Sequence, residues 1–74
     1  MKTTLEISLR YARRGMEAIQ DSFHWLKEGN DSIEITSTNT IEYEVDEDDE
    51  DIDVDLEEIF ARAGILEDEY WFNN

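Results

Sequence analysis

A chain of 74 residues with no cysteine, no proline and a formal net charge of −15 leaves few classes of function open. The length suits one domain with a small core; without Cys there is no disulfide, thiolate metal site or thiol nucleophile, so a reducing cytoplasm is expected and a homodimer interface is the staple left open. With 21 acids against 6 bases, direct binding to DNA, RNA or an anionic membrane surface is disfavoured, because phosphate affinity comes from Lys and Arg.

Met1–Lys2 leads into an amphipathic segment rather than the apolar block of a signal peptide, and no stretch approaches the roughly 18 apolar residues of a membrane span. Thr3-Thr4-Leu5-Glu6 reads as a capping box, with the Thr3 hydroxyl accepting from the Glu6 amide. From there Leu5, Leu9, Ala12, Met16, Ile19, Phe23 and Leu26 recur in steps of four and three. This predicts a helix over about 4–28, with Ile7 the one apolar residue on its polar face. Gly15 costs such a helix about 1 kcal/mol relative to Ala, so another backbone is expected to approach closely there. Lys27, Gly29 and Asn30 supply a positive last turn and a left-handed cap.

From Ser32 the period changes to two. Ile33, Ile35, Ile41, Tyr43 and Val45 alternate with Glu34, Thr36, Glu42 and Glu44, predicting a hairpin over about 32–46 that turns near Thr38-Asn39-Thr40. A lone hairpin is marginal in water, so its apolar face is expected to cover the first helix, with Glu34, Glu42 and Glu44 left to solvent. An exposed acidic loop is expected over 46–53. Asp55-Leu56-Glu57-Glu58 is a second capping box, predicting a short helix over about 55–63 closed by Gly64. Residues 65–72 read as a further helical turn or an extended tail whose aromatics, Tyr70-Trp71-Phe72, must bury somewhere. The expected class is α+β in the order α-β-β-α, a long N-terminal helix packed on a β-hairpin and a short C-terminal helix.

Charge is concentrated between Glu42 and Glu58, where twelve of seventeen residues are Asp or Glu. So many solvated acids do not build the pocket that separates two carboxyl pKa values for acid–base catalysis. The single His24, on a polar helix face, completes no nucleophile–base set, so no enzyme activity and no cofactor are expected. Asp46, Asp48, Glu50 and Glu57 fall at positions 1, 3, 5 and 12 of a calcium-loop frame, but position 6 is Asp51 where the turn needs Gly, so no built metal site is expected. Ile52-Asp53-Val54-Asp55-Leu56 resembles a SUMO-interacting type of strand-addition peptide, though those apolar residues also serve as anchors leading into the second helix. Arg10, Arg13 and Arg14 resemble a small basic patch, but Glu6 and Glu17 lie at helix-pair spacing from Arg10 and Arg13, as in a solvated, paired face.

The charge array is what remains. An extended run of acids rises about 3.3 Å per residue, close to the ~3.4 Å per charge along one strand of DNA. In size, charge, lack of Cys and exposed acid clusters the chain resembles, as a class, the small acidic inhibitors that phages encode against host DNA- or RNA-binding enzymes: anti-CRISPR, anti-restriction and nuclease- or glycosylase-inhibitor proteins. The resemblance carries no family motif and transfers no residue. It implies a basic nucleic-acid-binding protein or nuclease complex in the host cytoplasm as partner, bound through Glu42, Glu44, Asp46, Glu47, Asp48, Asp49, Glu50, Asp51, Asp53 and Asp55. The alternative is an interaction adaptor or antitoxin-like protein that binds through its apolar and aromatic surface, with the acids serving solubility.

Overall fold

The computed structural model describes residues 1–45 and 51–73. Its first element is a strand, β1 (Lys2–Ile7), which corrects the expected N-terminal helix and with it the α-β-β-α order. Thr3, Leu5 and Ile7 point into the core while Lys2, Thr4 and Glu6 point out, an alternation a helix would not permit. Ile7, the apolar exception to the helical pattern, marked the strand. Leu9, placed on the helical stripe by spacing alone, is 79% exposed in the turn that follows.

The rest of the stripe divides between α1 (Ala12–Asp21) and α2 (Phe23–Gly29). The break falls at Ser22, whose N–H bonds the Ile19 carbonyl at 3.1 Å in a tightened turn. Ala12, Met16, Ile19 and Leu26 keep their inward places across it, and Phe23 is only half-buried. Gly15 does mark a close approach, but of side chains: a Cβ there would sit 2.8 Å from Ile7 Cδ1 and 3.4 Å from both Ile65 and Phe60. α2 ends with Asn30 in extended rather than left-handed conformation. Gly64, with φ +79°, is the left-handed residue, closing the last helix.

β2 (Glu34–Ile35) and β3 (Thr40–Glu44) form an antiparallel hairpin in which Ile35 opposes Ile41. Ile35 lies at the sheet edge and stays 38% exposed, so Ile33, Ile41 and Tyr43 supply the buried side. The next helix, α3 (Asp51–Arg62), begins four residues before the expected start, taking in the end of the expected acidic loop. Ile52, Leu56, Ile59 and Phe60 form its inward stripe. After a 3-10 turn at Glu67–Glu69, the C-terminal aromatics form a strand, β4 (Tyr70–Asn73).

The four strands lie in the order β2-β3-β1-β4, each antiparallel to its neighbour. β1 and β2 are therefore parallel with β3 between them, and β3 and β4 parallel with β1 between them. These two split β-α-β units have the connectivity of the ferredoxin-like arrangement. Helices α1, α2 and α3 cover one face of the sheet, where Leu5, Ile7, Ile41 and Tyr43 meet Met16, Ile19, Leu26, Leu56 and Phe60. The Phe60 and Tyr70 rings, 4.7 Å apart, close the core beside β4. Among the described residues no helix is long and apolar enough to cross a membrane.

Candidate protein-binding surface

The sheet's other face has no helix over it among the described residues. Strand alternation sends Lys2, Thr4 and Glu6 of β1 to this side, with Glu34 of β2, Thr40, Glu42 and Glu44 of β3, and Trp71 and Asn73 of β4. Four carboxylates thus share an open surface with one lysine. Glu34 and Glu42 stand directly opposite one another, and like charges at such cross-strand pairs are destabilising. Lys2 lies 3.5 Å from Glu42, the half-buried member of the opposed pair, and the Met1 ammonium lies 3.7 Å from Glu44, while Glu34 and Glu44 remain exposed. These residues rim a shallow hollow of about 180 Å³ together with Ser32.

The hollow's far wall is held by a small polar network. Asn30 donates its side-chain N–H to the Glu44 carbonyl at 2.7 Å, its Oδ1 accepts from Ser32 N–H at 3.1 Å, and Ser32 Oγ accepts from Glu44 N–H at 2.8 Å. The end of α2 is thereby tied to the strand that carries the acids. Acids two apart on β3 are about 6.6 Å from one another and adjacent strands about 4.8 Å, a spacing half as dense along the strand as DNA charge but repeated across it.

The acids expected to act as one partner-binding run are separated by the fold. Glu42 and Glu44 lie on the open sheet face, Asp46, Glu47, Asp48, Asp49 and Glu50 fall outside the described residues, and Asp51, Asp53 and Asp55 belong to α3 in the opposite layer. Asp53 is occupied internally, accepting a hydrogen bond from the Tyr43 hydroxyl. Burial first, then Asp53 and Glu57, hold the Tyr43 phenol well above its ordinary pKa. Tyr70 is shifted the same way by burial and by the charges of Glu57 and Glu67. The surface in turn includes Glu6 and Trp71, which the expected site omitted. Their signal was the alternation of Glu6 with Leu5 and Ile7, and of Trp71 with Tyr70 and Phe72.

The helical side has a different character. Two adjoining grooves of about 410 and 400 Å³ run between α1–α2 and α3, sharing Asp21, Ser22, Ile59 and Arg62. Their charges are mixed and partly paired: Arg62 meets Glu58 at 2.6 Å and Arg13 meets Glu17 at 3.7 Å. Exposed His24 lies 3.2 Å from Glu28. Among the described residues no group of three or more His, Cys, Asp or Glu is placed to hold a metal ion. The Ile52–Leu56 segment is helical, with Ile52 and Leu56 buried, so it is not presented as an extended strand-addition peptide.

RNA-binding modules built on an open four-stranded sheet stack bases on aromatics of that face. Here the two central strands present Lys2, Thr4, Glu6, Thr40, Glu42 and Glu44 instead, three acids against one base. No protein-family model, curated protein or solved structure matches the chain.

Proposed function

We infer that this is a non-enzymatic binding protein whose acidic sheet face occupies the cationic groove of a cytoplasmic nucleic-acid-binding protein or nuclease complex, excluding the nucleic acid competitively. The phage-type inhibitors of this class supply the analogy. The observation that carries the reading is the directly opposed Glu34–Glu42 pair, extended by Glu44 and Glu6 on a face without helical cover. A folded sheet gains nothing from opposing like charges across two strands. A basic partner turns that cost into attraction, and desolvated pairs with its Lys and Arg side chains give orientation as well as rate.

The test uses a triple variant, Glu34→Gln, Glu42→Gln and Glu44→Gln. The natural chain, immobilised, captures its partner from a lysate of the source cells under stepped salt, and the captured protein is then assayed for displacement of its nucleic acid. The triple variant should keep its thermal midpoint, or raise it, and lose displacement. Undiminished displacement by a folded triple variant would refute the charge-mimic reading.

An adaptor or antitoxin-like role through aromatics has two observations in its favour, the 42% exposure of Trp71 and the 53% exposure of Trp25, which lines a groove between α2 and α3. Tyr70 and Phe72 face inward, so removing residues 70–74 would strip an edge strand from the core and could not separate the two readings.

A further inference from the structure

The two edges of the sheet are treated differently. β2 is two residues long and carries Glu34, the short, charged form by which natural edges discourage further pairing. β4 is four residues, Tyr-Trp-Phe-Asn, with no charge, proline or glycine, and no strand lies beyond it among the described residues. Its start is pinned: Ser8 N–H donates to the Glu69 carbonyl at 2.8 Å, and Ser8 Oγ donates to the Glu69 carboxylate at 2.6 Å.

The register tells which backbone groups face outward. Ser8–Glu69 is a hydrogen-bonded pair, and such pairs alternate along an antiparallel ladder. Glu6–Trp71 and Thr4–Asn73 are then bonded pairs as well, which leaves Tyr70 and Phe72 directing N–H and C=O away from β1. The geometry points to this edge as the docking site for an extended, Lys/Arg-bearing segment of a partner protein, added to the sheet as a fifth strand.

Charge selects that occupant. Glu67, Asp68 and Glu69 precede the edge, and Glu6 lies directly opposite Trp71 on the open face. A Lys or Arg on the added strand across from Trp71 would lie over its indole, within the ~6 Å at which cations and aromatic faces attract, with Glu6 on the ring's far side. Apolar residues at the alternate positions would extend the buried face beside Phe72. A second copy is a poor occupant, because its β4 brings no base and its body brings a further charge of −15. The inference rests on the reading of the partner as cationic and specifies how part of it is held.

The experiment titrates isotopically labelled protein with a capped Arg-Val-Lys-Val-Arg-Val peptide and follows amide shifts and hydrogen exchange by NMR. A control peptide of the same sequence has every backbone nitrogen methylated. The expected result is several-fold slowing of exchange at Tyr70 and Phe72 with Trp71 and Asn73 unchanged, loss of binding by the methylated control, and weaker binding by the Trp71→Ala variant. Shifts confined to the neighbourhood of Glu34, Glu42 and Glu44, or equal binding of the methylated control, would overturn the edge assignment while leaving the acidic-face reading standing. Concentration-dependent protection of Tyr70 and Phe72 without peptide would give the edge to a second copy, and absence of peptide binding would remove the site.

Discussion

Tyr43 concentrates the chemistry of the interior in one side chain. Its ring is almost wholly buried under α3, and its hydroxyl reaches the Asp53 carboxylate, a partner that β3 and α3 bring together from opposite layers. A phenol held above its ordinary value of 10.0 in the fold binds its proton more tightly there than in the unfolded chain. The associated stability is fully present below pH 10.0 and is lost as the pH rises beyond it, because the unfolded tyrosine ionises first. Tyr70, shifted in the same direction, adds to the effect. Tyr43→Phe should lower stability at neutral pH by roughly 1.5–3 kcal/mol through loss of a hydrogen bond to a charged group, the lower end being expected because Asp53 is partly solvated. Above pH 10.0 its stability should fall less steeply than that of the natural chain, since the Tyr70 contribution alone persists. Urea unfolding of both proteins across that range measures the difference, and parallel curves would contradict it.

At the scale of elements, the cross-strand pairing of β2 and β3 carries a cost that can be measured without any partner. Glu34 opposes Glu42, and Lys2 reaches Glu42 diagonally from β1. Glu34→Lys would replace a repulsive pair with an attractive one and should stabilise the domain by roughly 0.2–1 kcal/mol, read as a raised urea midpoint with an unchanged slope. A lowered midpoint would show that Glu34 is held by interactions other than its opposition to Glu42. The elements also differed in how far they could be read. The β2–β3 hairpin was legible in outline because Ile41–Val45 satisfies one periodicity, and α3 only from about Asp55, because Ile52, Val54 and Leu56 also fit the alternation of a strand. Lys2–Ile7 satisfied two: Leu5 fits a helical step to Leu9, while Leu5 and Ile7 fit a strand. Local pattern could not choose between them; pairing with Ile41 on one side and Phe72 on the other did.

For the whole molecule, the dominant unpaired quantity is charge. A net −15 on a body measuring 31 × 23 × 20 Å works against compactness. Raising ionic strength shortens the screening length to about 8 Å at physiological salt and to about 3 Å at 1 M, so added sodium chloride should raise the thermal midpoint. The same salt should weaken any complex built on the acidic face, and stability and affinity should therefore move in opposite directions. A midpoint insensitive to salt would mean that the acids are spaced too widely for self-repulsion to matter.

Composition, charge and the absence of Cys follow from the chain alone, as does the alternation that sends Glu34, Glu42 and Glu44 to one side of a hairpin, because each is local or additive along the sequence. Which acids act together is not local. Tyr43 turns inward between Glu42 and Glu44 and engages Asp53, so neighbours in sequence end in different layers, while Glu6 and Trp71 arrive beside one another from opposite ends of the chain. That arrangement was decided by the tertiary structure, because a strand's partners are chosen by which apolar faces can be buried together, and β1 buries Leu5 and Ile7 only when β3 and β4 close on either side of it.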